Sequence, residues 1–146
     1  MQETVALSML HKNAKMELLK RVPLFAGCSK RELGEIAMLA DELDLPDARN
    51  LTRQGTGGWE FIVLVDGAAD VFRDGHAVNE LGPGDFVGEI ALITGQPRTA
   101  TVRTRGESRI LVLNASGFRQ LMRDVPSIQE KVLAALAARL QPDEFD

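Results

Sequence analysis

FVGEIALITGQPRTATV, residues 86–102, is the stretch from which the rest of the chain can be read. A Gly-Glu pair at 88–89 opens a short apolar turn, and Pro97-Arg98-Thr99-Ala100-Thr101 begins nine residues after Gly88. The segment lies between two strand-like runs. Gly88 lets backbone approach a ligand closely, and one helical turn starting there would aim its free amide N–H groups at an anion. Arg98 adds a permanent cation whose fork matches a phosphate. Glu89 is an acceptor that repels a phosphate but accepts from a ribose hydroxyl. An anion site beside a hydroxyl site describes a sugar phosphate. One arginine plus amides balances the single charge of a cyclic phosphodiester, whereas a triphosphate would call for a lysine, a metal and a longer glycine loop.

Outward from this stretch, residues 43–113 read as short runs of three to seven residues punctuated by Gly, Pro, Asp and Asn, as in an antiparallel sandwich or barrel. The turns are Gly55 to Gly58, Asp66 to Gly67, Asp74 to Gly75 and Gly82 to Asp85. The strands between them are Trp59 to Val65, Ala69 to Phe72, Ala77 to Leu81, Ala100 to Thr104 and Arg109 to Leu113, with weaker ones near Leu43 and Leu51. About eight strands make a jelly roll. The expected fold class is therefore α+β, an antiparallel eight-stranded jelly-roll barrel flanked by helices.

Helical patterns bracket the barrel. Leu7, Leu10, Ala14 and Leu18 recur at spacings of three and four among Lys12, Lys15, Glu17 and Lys20. Pro23 and Gly27 interrupt, and Ser29 with Glu32 forms a capping box for a second helix whose buried face would be Leu33, Ile36, Ala37 and Ala40. Helix returns at Ser116 to Met122, pauses near Pro126 and resumes to Leu140, with Val132, Leu133, Leu136 and Leu140 on one face. Pro142 ends it, and the acidic tail Asp143 to Asp146 is expected to fray. The organisation reads as one domain: N-terminal helices 1–42, barrel 43–115, C-terminal helices 116–141 and tail 142–146.

Composition narrows the function classes. The chain has 146 residues, 45% of them apolar and 26% charged, with a formal net charge of -4. That length supports one core, and that charge supplies no global field toward nucleic acid or an anionic membrane. The longest apolar runs, Phe61 to Val65 and Ile110 to Leu113, have strand length rather than membrane-helix length. Glu3 precedes the only weakly apolar stretch at the N-terminus, so no secretory signal is read and a cytoplasmic location is expected. Cys28 is the one cysteine and reads as a small packed hydrophobe. His11 and His76 stand alone, so no metal site is expected. Trp59 reads as core or turn packing, and Arg103, Arg105 and Arg109 as a solvated strand face.

The GDFVGEIAL and PRTATV motifs, the glycine at 67 and the Gly82 to Asp85 turn resemble the cyclic nucleotide-binding domain family. That family is shared by protein kinase regulatory subunits, gated channels and the bacterial catabolite activator protein. The resemblance extends to the order helices, barrel, helices over nearly the whole chain. It implies that Glu89 takes the ribose 2′-hydroxyl, and that Arg98 with the amides of Ala91 and Thr99 holds the cyclic phosphate. Gly88, Ile90 and Ala100 belong to the same ligand-binding set, and the Thr99 hydroxyl is a further contact to phosphate or base. Val71 and Val78 would line the base, and Leu133, Leu136 and Leu140 would form a lid.

The function the resemblance implies is a cyclic nucleotide sensor and not an enzyme, with cAMP as ligand, cGMP as the alternative and no cofactor. Its output would pass to an effector protein or through a homodimer. No helix-turn-helix follows the last helix in this sequence, so neither nucleic acid nor membrane is expected as a partner. Two other classes compete. A ligand-independent jelly-roll scaffold would make Glu89 and Arg98 an ordinary surface ion pair and Thr99 a residue chosen for β-propensity. A cupin-type metalloenzyme would need clustered histidines that the sequence lacks.

Overall fold

The computed structural model describes residues 14–58, 60–88, 95 and 97–139, the side chains of 135, 136 and 139 excepted. The described residues open with helix α1 (14–20), a 3-10 turn at Pro23–Phe25 and helix α2 (Lys30–Leu39). Six strands follow: β1 (Asp41–Leu45), β2 (Asn50–Thr52), β3 (Glu60–Arg73), β4 (His76–Leu81), β5 (Phe86–Val87) and β6 (Thr101–Asn114). Helices α3 (Ala115–Asp124) and α4 (Pro126–Arg139) close the described chain.

All six strands form one antiparallel sheet, ordered β1-β6-β3-β4, with β2 also paired to β6 and β5 to β3. The described residues hold six strands, where about eight are expected, in a mixed fold of helices and antiparallel sheet. The difference lies at two glycines. Asp66 to Gly67 was expected to end a strand, but the β3–β6 ladder runs past it with register shifts at Leu64/Asp66 and Asp66/Ala68. Gly67 at φ 97° and Gly106 at φ 78° let both strands bend without breaking. Each long strand therefore absorbs two of the segments expected separately.

β3 explains how two apolar faces coexist. Phe61, Val63 and Val65 point to a core shared with the helices, together with Leu111 and Leu113 of β6. Ile62 and Leu64 point the other way, with Ala69, Leu81, Val102, Ile110 and Val112. Strand alternation makes this division automatic. The helical core adds Leu19, Phe25, Ile36, Phe118, Leu121 and Ile128. Phe61 is its hub, with ring centroids 4.9 Å from Phe118 and 5.4 Å from Phe86.

The helices follow their local chemistry. Ser29 Oγ accepts from the Glu32 N–H at 3.1 Å while the Ser29 N–H donates to Glu32 Oε1 at 2.8 Å, the reciprocal cap read from sequence. Leu33, Ile36, Ala37 and Ala40 are buried as expected. In α1 the expected stripe is rotated. Met16 and Leu19 are buried, Leu18 is half-buried against the same core and Ala14 is exposed, while Leu7 and Leu10 fall outside the described residues. Lys15, expected on the solvent side, donates to the carbonyls of Ala40 at 2.7 Å and Ala37 at 3.0 Å, tying α1 to the end of α2.

α4 also departs from its expected face. Val132 is buried but its neighbour Leu133 is 45% exposed, because Ile128 and Val132 supply the inward side. Lys131 crosses to the 3-10 turn and donates to the carbonyls of Ala26 at 2.8 Å, Pro23 at 3.2 Å and Leu24 at 3.3 Å. Arg105 pairs with Asp70 and Glu80, and Arg109 with Glu42 and Asp44, on the solvated face expected of them. Among the described residues, no helix is long and apolar enough to cross a membrane.

Candidate functional site

The described site is the entrance and the exit of the 86–102 segment. Glu89, Ile90 and Ala91 lie outside the described residues, as do Trp59 and Leu140, and so does the side chain of Leu136. The entrance is built by the Gly82 to Asp85 turn. There the Gly82 N–H donates to Asp85 Oδ2 at 2.8 Å and the Asp85 N–H to the Gly82 carbonyl at 3.1 Å. The Gly84 N–H donates to the Leu64 carbonyl at 2.7 Å, and the Leu64 N–H to the Asp85 carbonyl at 2.8 Å, which ties the turn onto β3. β5 continues the pairing, Val63 opposite Phe86 and Ile62 opposite Val87. Alternation sends Phe86 to the helical core and Val87 to the inner cluster.

Gly88 leaves that strand at φ 104°, a conformation that side chains with a Cβ rarely adopt. Its position is crowded as well. A Cβ there would collide with the Glu60 carbonyl oxygen and come within 2.7 Å of Arg98 Nη1. Close approach of backbone to a guanidinium is thus part of the construction.

The exit is pinned from both sides. The Gly55 N–H donates to the Arg98 carbonyl and the Arg98 N–H to the Thr56 carbonyl, both at 2.8 Å. Thr52 Oγ1 donates to the Ala100 carbonyl at 2.9 Å, the Gln54 N–H to Thr101 Oγ1 at 3.0 Å, and Arg73 Nε to the Thr99 carbonyl at 3.4 Å. The glycine turn Gly55 to Gly58 therefore fixes the arginine's backbone, which turn reading alone did not assign to it.

Arg98 is only 8% exposed, and among the described residues it is the single charged side chain in the buried class. Its Nη2 donates to the Glu60 carbonyl at 2.8 Å, across 38 residues of sequence. Taking a guanidinium out of water costs several kcal/mol unless charge or hydrogen bonds offset it. The Glu60 carbonyl supplies one such bond, and the guanidinium lies beside the backbone of Gly88.

The remaining expected residues are dispersed to differing degrees. Ala100 is buried and Thr99 is exposed at the segment's end. Val71 packs against the inner cluster, opposite Asn79 of β4. Val78 is 51% exposed beside the register shift between Val71 and Phe72. Leu133 is exposed on α4. Two participants escaped the sequence reading: Glu60, which acts through its main-chain carbonyl, and Gly58, which packs against the Arg98 side chain. Only the Gly55 to Gly58 cluster hinted at the second.

Among the described residues no group of three or more His, Cys, Asp or Glu could hold a metal ion, and His76 is exposed on β4. Cys28 is half-buried against the helical core, and burial pushes its thiol up, with Glu32 adding to the shift and Lys131 opposing it.

With the geometry in hand, comparison with known proteins gives the class: residues 42–125 match the family model described as the cyclic nucleotide-binding domain. The chain belongs to the cyclic nucleotide-binding domain family, a family of regulatory binding domains. It is 31% identical over 115 residues to a cAMP-dependent protein kinase regulatory subunit of Emericella nidulans, which covers 77% of this chain and 28% of that protein. It is 36% identical over 116 residues to a cyclic nucleotide-gated potassium channel of Rhizobium etli, covering 80% of this chain and 32% of the channel. The chain thus spans under a third of the length of either relative. Among solved structures, the regulatory domain of Toxoplasma gondii PKA with cAMP superposes with a TM-score of 0.78 at 26% identity, over 90% of this chain and 51% of that one.

Proposed function

We propose that this chain is a cyclic nucleotide sensor that binds cAMP, with cGMP as the alternative, and performs no catalysis. The observation that carries the reading is the buried Arg98 guanidinium, held at the Glu60 carbonyl and against Gly88 at the two ends of the 86–102 segment. In this reading Arg98 and the amides of Ala91 and Thr99 neutralise the cyclic phosphate, and Glu89 accepts from the ribose 2′-hydroxyl. Gly88, Ile90 and Ala100 complete the backbone cradle, Val71 and Val78 flank the base, and Leu133, Leu136 and Leu140 cover it. The exposed Thr99 hydroxyl keeps cGMP in play, since a base carrying an amino group and a carbonyl can bond to it.

The response is a population shift in which the C-terminal helix moves onto the bound base. Two features support it. Phe86 at the segment's start reaches Phe118 of α3 through the shared ring of Phe61, and Leu133 offers an uncovered apolar side chain on α4. Segments 1–42, 43–115, 116–141 and 142–146 then act as one unit. The output goes to an effector protein or to a second copy of the chain, in the cytoplasm, without nucleic acid or membrane as partner. An effector that prefers the bound shape tightens nucleotide binding by the same factor.

Calorimetry on protein freed of carried-over nucleotide tests the reading, with cAMP, cGMP and 5′-AMP titrated side by side. Saturable heat with a cyclic nucleotide, cAMP ahead of cGMP and 5′-AMP weaker than both, is the expected result. No heat with either cyclic nucleotide at hundreds of micromolar would leave the ligand-independent scaffold as the better account.

A further inference from the structure

Gly58 sits just before β3, partly buried, and its backbone is not in the left-handed region that would by itself require glycine. Space is what requires it. A Cβ built there would overlap the Nε and Cζ atoms of Arg98 and lie 2.6 Å from its Cδ. Other glycines with ordinary backbone show no such demand: at Gly82 nothing lies within 4 Å, and at Gly117 the nearest atom is 3.3 Å away. Gly58 thus forms one wall of a slot through which the arginine side chain runs, and Gly88 and the Glu60 carbonyl form its far end.

We infer that Gly58 is a positioning residue for the anion site, present so that the Arg98 guanidinium can lie against the main chain and be held there before ligand arrives. The inference rests on the proposed role of Arg98 in holding phosphate and adds the feature that aims it. The atoms a Cβ would strike belong to the end of a flexible side chain, so a larger residue is accommodated by swinging the guanidinium aside rather than by unfolding the sheet. Arg98 then loses the Glu60 carbonyl and the orientation it imposes. Displacing a charged partner by about 1 Å can cost up to about a hundredfold in a pre-organised site.

The test is Gly58→Ala, with Gly117→Ala, on α3 and away from the 86–102 segment, as the control for adding a methyl group to a glycine of ordinary backbone. In ligand-free protein, the Arg98 Nε–H nuclear resonance, assigned by its loss in Arg98→Lys, should shift strongly in Gly58→Ala and stay in place in Gly117→Ala. Affinity for cAMP should fall about tenfold or more in Gly58→Ala, with the melting temperature within about 3 °C of the parent. An unmoved Nε–H resonance, or an affinity within about twofold of the parent, overturns the inference. If Gly58→Ala folds poorly, the double variant Gly58→Ala/Arg98→Ala decides: recovery of the Arg98→Ala melting temperature supports the slot, because the guanidinium is gone, and failure to recover overturns it. Should neither cyclic nucleotide bind the parent protein, the sensor reading fails on its own, and the resonance still reports whether Gly58 positions Arg98.

Discussion

Lys131→Met should unlatch the C-terminal helix from the 3-10 turn while keeping an unbranched side chain of similar length. The ammonium group donates to three carbonyls, those of Ala26, Pro23 and Leu24, at 2.8, 3.2 and 3.3 Å. Hydrogen bonds to a charged group contribute about 1.5–3 kcal/mol each in favourable cases, but three effects reduce that here. One ammonium divides its field among three acceptors, and two of the three contacts are exposed enough for water to replace it. The Pro23 carbonyl also keeps a bond from the Ala26 N–H at 3.1 Å. What remains is chiefly the loss of the part-buried Leu24 acceptor bond, about 1 kcal/mol, with a smaller share from the exposed Ala26 contact. The expected loss is therefore about 1–2 kcal/mol, or a melting temperature lower by about 3–8 °C for a chain of this size. Urea unfolding should show the midpoint falling at constant slope. A melting temperature within about 1 °C of the parent would mean that the three contacts add nothing to the fold.

Two further outcomes follow from the helical end. Ser29→Ala removes one side of the reciprocal cap at α2 and should cost about 1 kcal/mol in urea unfolding, with Ser29→Thr recovering most of it. Cys28 holds its proton more tightly folded than unfolded, so its contribution is complete below the unfolded thiol value, about 8.5, and is lost as pH rises through the folded one. Stability measured between about pH 8 and 10 should decline less steeply in Cys28→Ala than in the parent, and identical slopes would contradict the assigned cause.

How much of this was legible in the sequence depends on whether the signal was local. Ser29 and Glu32 are three residues apart, and their cap could be read directly. So could the buried run Phe61 to Val65, where two opposite faces are both apolar. Asp66 to Gly67 misled, because the same residues that make a turn also permit a bulge, and only the partner strand β6 decides between them. In α4 the adjacent pair Val132 and Leu133 gave no sign of which would face inward; packing against the 3-10 turn and α3 settled it.

The candidate site divides along the same line. Arg98 and Gly88 stood out by residue type and spacing. The Glu60 carbonyl did not, since every residue has one, and Gly58 looked like any other turn glycine. Both matter only because the chain brings β3 beside a segment 38 residues further on. Glycine needed for space rather than for backbone conformation leaves no mark in a single sequence.

The most direct measurement is the cAMP affinity of Arg98→Ala against the parent protein, with thermal unfolding of both as a check on folding. If Arg98 holds the phosphate as proposed, its removal should weaken binding by roughly 2–5 kcal/mol, a loss of about 30-fold to several thousandfold. An affinity reduced by less than about tenfold, in a variant that melts like the parent, would contradict the account.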